Sequence, residues 1–202
     1  MIDPIELTRE LIRIPSPTGQ EAEVVDFMAN VLAKAGYQVR RHPVSPGRDV
    51  LYATTEQTPI VVFSTHLDVV PPHLEPGEDD DWIHGRGACD AKGVAAAMLA
   101  AALRLREKGE RRIGLLFVVG EETGGDGAKA ANALEPKGRY LINGEPTENL
   151  LSIGQKGAFA FEVRATGKAA HSAYPEEGDS AVDALLDAIE RIRKLPLPSD
   201  PL

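Results

Sequence analysis

The order of hydrophobic and polar residues predicts that helices and strands alternate over most of the chain. Apolar residues recur with the helical period in several segments, whereas other apolar runs are continuous and end in polar residues, as central strands of a parallel sheet do. The predicted helices cover about residues 4–14, 20–35, 92–106 and 124–133, and the predicted strands begin near residues 37, 49, 60, 113 and 139. This alternation indicates an α/β fold, with a mostly parallel sheet and helices on both faces.

The pattern changes near residue 151. Residues 154–167 alternate strictly, with Phe159, Phe161 and Val163 on one face, which predicts a half-exposed antiparallel strand. A loop and an amphipathic helix over about 179–194 follow. We therefore expect one domain over residues 1–152 and the beginning of a second over 153–202.

Composition and charge narrow the possible partners and location. The chain of 202 residues has 22 Lys and Arg against 31 Asp and Glu, a net charge of −9, which argues against nucleic acid or an anionic membrane surface as partner. The single cysteine excludes an internal disulfide framework and fits a reducing compartment. There is no apolar run of membrane-spanning length and no secretory signal at the N-terminus. We expect a cytoplasmic protein with no nucleic-acid or membrane partner.

Acidic residues and one histidine follow the predicted strands. In an open α/β sheet, ligands bind beyond the carboxyl ends of the strands. The polar residues in such positions are His66, Asp68, Asp90, Glu121, Glu122 and Glu145. One imidazole with several carboxylates suits zinc, cobalt or manganese. The alternative is a set of ordinary solvated turns.

Three of these positions allow more specific interpretations. His66 and Asp68 are two residues apart, so both face the same side of a strand and Asp68 is able to accept a ring N–H of His66. Asp90 lies between a glycine-rich turn and a helix, where an N-cap alone would explain it; an Asp that bridges two metals would lie in the same kind of loop, so the two interpretations are compatible. Of the adjacent Glu121 and Glu122, one is able to bind a metal while the other acts as a general base, unless both belong to a solvated loop.

Five segments taken together indicate a family. The segments STHLDVVPP, GRGACDAKG, VVGEETGG, NGEPT and GKAAHSAYP, in this order over about residues 60–175, resemble the zinc aminoacylase/carboxypeptidase family. Its members include acetylornithine deacetylase, succinyl-diaminopimelate desuccinylase and related dipeptidases. The resemblance implies a catalytic α/β domain with two zinc or cobalt ions and an inserted α+β lid that usually forms the dimer interface. Residues 1–152 are then an incomplete catalytic metal-binding domain, and 153–202 hold the first strand and helix of the lid.

The resemblance also implies roles for single residues. It implies metal ligands at His66, Asp90, Glu122 and Glu145, with Asp90 bridging the two ions. It implies catalytic roles for Glu121 as general base, for Asp68 as the carboxylate behind the histidine ligand, and for His171 as a lid residue that stabilises the oxyanion across the dimer. From its setting alone, His171 is an exposed loop histidine. Family members continue well past this length and supply a second histidine, so the second metal site lacks one ligand here.

These observations predict a metal-dependent hydrolase. We expect it to cleave the amide bond of an N-acyl amino acid with a metal-activated water, as acetylornithine deacetylase of amino-acid biosynthesis does, and to form a homodimer through the lid. A di- or tripeptidase or a carboxypeptidase of the same family, acting on a short peptide, is the alternative. The alternative of another class is a catalytically incompetent fragment that binds metal or dimerises. We expect the chain to be the N-terminal part of a longer enzyme, and the sequence leaves open whether it is active alone.

Overall fold

The chain consists of two compact units, Met1–Asn149 and Leu150–Leu202. The computed structural model describes residues 2–155, 157 and 159–197. The helices of the first unit are α1 (Pro4–Arg13), α2 (Ala22–Lys34), α3 (Lys92–Glu107) and α4 (Asp126–Ala131). Its strands are β1 (Gln38–Ser45), β2 (Arg48–Thr54), β3 (Val61–His66), β4 (Gly77–Glu78), β5 (Ile83–His84), β6 (Ile113–Val118) and β7 (Tyr140–Asn143).

Local chemistry sets the ends of the first two helices. The Asp3 carboxylate accepts the backbone N–H of Ile5 at 2.9 Å and caps α1, and Pro4 occupies the first turn. The helix ends at Arg13, and the next residue, Ile14, is extended because Pro15 follows it. Gly36, with a φ of +81°, lies just beyond α2 and allows the chain to turn back.

The central sheet has the strand order β1-β2-β6-β3-β7. Strand β3 is parallel to both β6 and β7, whereas β2 pairs antiparallel with β1 and β6. His66 is level with Val118, and Ser64 is level with Asn143, so the carboxyl ends of the three parallel strands meet at one edge. The sheet confirms the predicted α/β class and brings the polar residues after these strands close together.

Helices cover both faces of this sheet. On one face α1, α2 and α3 bury side chains such as Leu11, Met28 and Leu99 against Leu115 and Phe117 of β6. Each such side chain contributes about 1.5–3 kcal/mol to folding when fully buried. Helix α4 contacts β1, β2 and β6. Its residues line a cavity together with side chains of the sheet strands. Along each strand these side chains alternate with those in the hydrophobic core, so they point to the other face of the sheet. Helix α4 therefore lies on the opposite face.

The second unit contains a 3₁₀ turn, Pro175–Glu177, and helix α5 (Ala181–Arg193), which Ser180 caps by accepting the N–H of Asp183. The strand predicted over 154–167 is not formed as a paired strand, although part of that segment lies outside the described residues. Its described residues pair with no other strand, and nearby there is an isolated bridge between Lys168 and Asp179. An extended segment becomes a strand only when a partner satisfies its backbone groups.

No helix in the described part of the chain is long and apolar enough to cross a membrane.

An ion-pair network joins α2, β2 and α4. The Arg48 guanidinium donates to both carboxylate oxygens of Glu21, at 2.9 and 2.8 Å, and its Nη1 lies 2.6 Å from Asp126 Oδ2. Hydrogen bonds with Glu21 and then Asp126 raise the pKa of Arg48 above its ordinary value. Glu21 is fully buried, so Arg48 supplies the charge that compensates it.

We expect Arg48→Met to lower the free energy of unfolding by about 3 kcal/mol, because it leaves the Glu21 carboxylate buried without a partner. Urea unfolding of the chain, followed by circular dichroism, measures the change. The matched control is Arg41→Met, which removes a guanidinium from the exposed ion pair with Asp26 and leaves stability unchanged within error. Adding Glu21→Gln to Arg48→Met should recover part of the loss, and equal stability of the two arginine variants would contradict the prediction.

Candidate metal centre

The predicted site residues follow the parallel strands at one edge of the sheet. His66 is the last residue of β3, Glu121 and Glu122 follow β6 after a short turn, and Glu145 follows β7. Asp90 comes from the loop before α3. The parallel register thus places an imidazole and several carboxylates at the same edge.

The structure brings the four predicted metal ligands together. Ligand atoms of His66, Asp90 and Glu122 all lie within 4.8 Å of one another. His66 Nε2 is 2.9 Å from Asp90 Oδ1 and 3.7 Å from Glu145 Oε2. His66 is buried, whereas the three carboxylates are partly or largely exposed and so open to an incoming ion.

The hydrogen bonds of His66 identify its tautomer. Its Nδ1 lies 2.9 Å from the carbonyl oxygen of Asp68, which is able only to accept, so Nδ1 carries the proton. Nε2 faces the carboxylates of Asp90 and Glu145, so without a metal it carries a proton and donates it to Asp90 Oδ1 at 2.9 Å; its lone pair becomes available when a metal ion replaces that proton. Burial by itself would lower the pKa of His66, but the carboxylate and carbonyl of Asp68 and the charge of Glu145 outweigh it and raise the pKa to about 9. A positive species, a proton or a metal ion, is therefore strongly favoured at Nε2.

The carboxylates of the cluster also favour a bound cation. Burial, and then the charge of Asp90, raises the pKa of Glu122, and burial raises the pKa of Glu145 against the opposing effect of His66. Negative charges this close together repel, and a divalent ion between them would remove the repulsion. One imidazole nitrogen with carboxylate oxygens is a donor set that fits zinc, cobalt or manganese.

Glu121 differs from its neighbour. It is exposed and lines a cavity of about 640 Å³ together with His66 and Glu145. Asn143, which lines the same cavity, donates its side-chain amide to Glu145 Oε1 at 3.2 Å and orients that carboxylate. The adjacent glutamates thus do different things, because Glu122 joins the ligand cluster and Glu121 faces the cavity.

Asp68 is fully buried behind the cluster, and its carboxylate does not make the expected close contact with the His66 ring. The distance from His66 Nδ1 to Asp68 Oδ1 is 3.6 Å, so the backbone carbonyl of Asp68 takes the ring N–H instead. The carboxylate accepts the Thr18 hydroxyl at 2.7 Å and the backbone N–H groups of Glu121 and Glu122 at 3.1 and 3.2 Å. Thr18 was not among the predicted site residues, since a threonine in a proline-containing turn carries no distinctive signal.

The structure decides the capping interpretation of Asp90 and shows the setting of His171 within its own unit. Asp90 is not an N-cap, because the N-cap of α3 is Ala91 and no side chain caps this helix. The capping interpretation is therefore wrong. His171 belongs to the second unit, where it is exposed and its Nδ1 accepts the N–H of Ala173 at 3.1 Å. Its catalytic role stays a prediction.

Lys92 is a supporting residue that the sequence did not single out. Its side chain is buried, and its Nζ donates to the carbonyl oxygens of Leu11 and Ile14 at 3.1 and 2.6 Å. Burial lowers the pKa of Lys92 to about 8. These bonds satisfy the carbonyls at the end of α1 and tie that helix to the start of α3, close to Asp90. A lysine at the start of an alanine-rich helix gives no sign of burial.

A family model described as Peptidase family M20/M25/M40 matches residues 62–201. The chain belongs to this family. A peptidase M20 domain-containing protein of Schizosaccharomyces pombe is 42% identical over an alignment of 207 positions, which covers 98% of this chain and 52% of that protein. A probable carboxypeptidase of Aspergillus fumigatus is 39% identical over an alignment of 218 positions, which covers 93% of this chain and 50% of that protein. The chain spans about half the length of the curated relatives it matches.

Solved structures share the fold. A tripeptidase from Staphylococcus aureus matches with a TM-score of 0.68 at 24% identity, over 93% of this chain and 55% of that one. An M20 family metallo-carboxypeptidase from Sulfolobus solfataricus matches with a TM-score of 0.58 at 24% identity, over 71% of this chain and 37% of that one. The similarity confirms the fold of an M20 peptidase catalytic domain.

We expect His66→Ala to weaken binding of Co²⁺ or Zn²⁺ by the chain at least tenfold, because it removes the nitrogen at the centre of the cluster; even indirect partners of metal ligands contribute about 10–100-fold to affinity. Isothermal titration calorimetry of the chain measures the dissociation constants. His84→Ala is the matched control, since His84 is exposed and pairs with Asp79 outside the cluster. Equal affinities of the two variants would contradict a site at His66.

Proposed function

We propose that the whole protein is a metal-dependent hydrolase that cleaves an amide bond in a short peptide or an N-acyl amino acid. One observation carries the proposal: ligand atoms of His66, Asp90 and Glu122 converge within 4.8 Å. Membership of a peptidase family and a second carboxylate, Glu121, in the adjoining cavity support it. A site of this composition has the groups needed to activate water and to move its proton.

The metal ligands we propose are His66, Asp90, Glu122 and Glu145. The resemblance to zinc aminoacylases favours two zinc or cobalt ions, which these four residues would help to hold. Ions bound there would supply a Lewis acid for the scissile carbonyl and would lower the pKa of a water molecule. His66 offers Nε2 with its tautomer already set by the Asp68 carbonyl, so no proton on Nδ1 has to be rearranged.

Glu121 is the general base in this proposal. Its side chain is exposed in the cavity, while its backbone is held by a hydrogen bond to Asp68. It accepts the proton of the attacking water and later delivers it to the leaving amine. The same carboxylate serves both steps because it gains a proton in the first and loses it in the second.

The second unit contributes in two proposed ways. His171 stabilises the oxyanion in a homodimer, as the family resemblance implies. Apolar side chains stand exposed on this unit, which favours their burial against a partner. They include Phe159, Phe161, Val182 and Leu186.

The substrate is a short peptide or an N-acyl amino acid, and the names of the relatives favour the peptide. Several of those relatives are named probable carboxypeptidases, and the Staphylococcus aureus neighbour is named a tripeptidase. Deacylation of N-acetylornithine uses the same chemistry and remains the second candidate. A cytoplasmic location stays a prediction, as does the alternative of an incompetent fragment.

In the whole protein, we expect Glu121→Gln to lower kcat for dipeptide hydrolysis by about 10²–10⁴-fold, which is the usual contribution of a general base. Metal content, measured by atomic emission on the purified variant, should be unchanged. The control is Glu23→Gln, which neutralises an exposed glutamate on α2.

The substrates to compare are a panel of dipeptides and N-acetylornithine. Turnover like that of the unaltered protein in Glu121→Gln would refute the role of Glu121 as base, and loss of metal would make it a ligand instead. If the metal-loaded whole protein hydrolyses neither class of substrate, the proposed function is wrong and the incompetent alternative is favoured.

A further inference from the structure

The connection after α1 lies along the extension of β3 beyond His66. Val69 donates its N–H to the carbonyl of Ser16 at 3.0 Å, and Thr18 donates its N–H to the carbonyl of Val69 at 3.3 Å. The buried Ser16 hydroxyl donates to the carbonyl of Leu67 at 2.8 Å. These bonds hold the connection in one place and aim the Thr18 side chain at Asp68.

The Asp68 carboxylate receives its donors from two sides. Its Oδ2 accepts the Thr18 hydroxyl at 2.7 Å and the N–H of Glu122 at 3.2 Å, and its Oδ1 accepts the N–H of Glu121 at 3.1 Å. The side chain is fully buried, so these donors take the place of water. Two consecutive backbone N–H groups on one carboxylate define the position of the turn that carries both glutamates.

The same turn is confined on its other side. Gly120 precedes Glu121 with a φ of +73°, and a Cβ at this position would come within 1.8 Å of Asp126 Oδ1. Asp126 is in turn held by Arg48. The backbone before Glu121 therefore has little freedom, and its remaining freedom is limited by the orientation of the Asp68 carboxylate.

We propose that Thr18 is a positioning residue whose hydroxyl sets the rotation of the Asp68 carboxylate and thereby the backbone of the Glu121–Glu122 turn. The side-chain torsion of an aspartate carboxylate is broad, so without a fixed donor the group rotates and one backbone N–H loses its acceptor. This effect is separate from any action of Asp68 on His66, because the two sets of contacts use different atoms of Asp68. Thr18 bonds to the Asp68 carboxylate, whereas the imidazole N–H of His66 bonds to the Asp68 backbone carbonyl.

The consequence for catalysis rests on the proposed function, whereas the positioning itself does not. Glu121 and Glu122 have different tasks in the proposed mechanism, and both side chains leave the turn that Asp68 holds. A small displacement of a reacting group, about 1 Å, is able to reduce turnover by about 100-fold. Thr18 is therefore expected to act on turnover without contacting substrate or metal.

The first experiment needs neither metal nor substrate. Amide hydrogen exchange in the chain, resolved by NMR, is compared between the unaltered protein and Thr18→Val, which keeps the side-chain shape but removes the hydroxyl. Exchange at the Glu121 and Glu122 N–H groups should be about tenfold faster in the variant, the effect of about one lost hydrogen bond. Thr18→Ser restores the hydroxyl and should restore the exchange rates.

Thr55→Val is the matched control for this experiment. Thr55 is buried, whereas Thr18 is partly buried, and the Thr55 hydroxyl donates to the carbonyl of Arg111 at 2.5 Å at the opposite end of the sheet. This variant should leave exchange at Glu121 and Glu122 unchanged. Thr18→Ala serves as a second hydroxyl-free variant and gives the same comparison without the valine methyl groups.

Unchanged exchange at both glutamates in the folded Thr18→Val and Thr18→Ala variants overturns the proposal. Equal acceleration at core amides such as that of Leu115 also overturns it, because Thr18 would then support general stability only. In the whole protein, the proposal predicts a kcat about tenfold lower in Thr18→Val, a KM within about twofold and recovery in Thr18→Ser. If the unaltered whole protein has no hydrolase activity, the proposed function fails while the exchange comparison still decides the role of Thr18.

Discussion

A carboxylate that is removed from water must accept all its hydrogen bonds from donors within the protein. Asp68 is such a carboxylate, and the rest of the site depends on how its donors are supplied. Burial alone would raise the pKa of Asp68, but His66, the Thr18 hydroxyl and the N–H groups of Glu121 and Glu122 outweigh it and lower it to about 2. The hydrogen-bond donors to the carboxylate come from the connection after α1 and from the turn after β6, and Asp68 itself follows β3. One buried anion thus holds together three segments that are distant in sequence.

The candidate metal centre next to Asp68 concentrates carboxylates whose negative charge does not help the protein to fold. Asp90, Glu122 and Glu145 face the same imidazole nitrogen, and the pKa values of both glutamates are raised because burial and neighbouring charges disfavour their ionised forms. A cluster of this kind lowers the stability of the metal-free fold. When a cation is bound, the same cluster stabilises the fold. The arrangement fits the proposed metal-dependent hydrolase of the M20 family, and the Arg48 network around the buried Glu21 shows the opposite solution, in which the protein supplies its own cation.

Much of the fold was predictable because its signals are local. The capping by Asp3, the end of α1 before Pro15 and the turn at Gly36 all depend on neighbouring residues, and the predicted helices and sheet strands of the first unit were found. One expectation depended on a distant partner and differs from the structure: residues 159–167 are not paired, since a strand needs a second strand. The capping interpretation of Asp90 was local and is also wrong, since Ala91 is the N-cap of α3.

The sequence by itself determined which chemical groups the molecule has and which strand each group follows, and this was enough to predict an edge rich in carboxylates around one histidine. Only the tertiary structure decided what each group contacts. The Asp68 carboxylate holds the glutamate turn and not the imidazole ring, Thr18 takes part in this contact, and Lys92 is buried. All three features depend on how α1 and the connection after it pack against β3 and α3. The contacts of Asp68 with Thr18 and Glu121, and of Lys92 with Leu11, join residues 50 or more positions apart, and no local pattern records them.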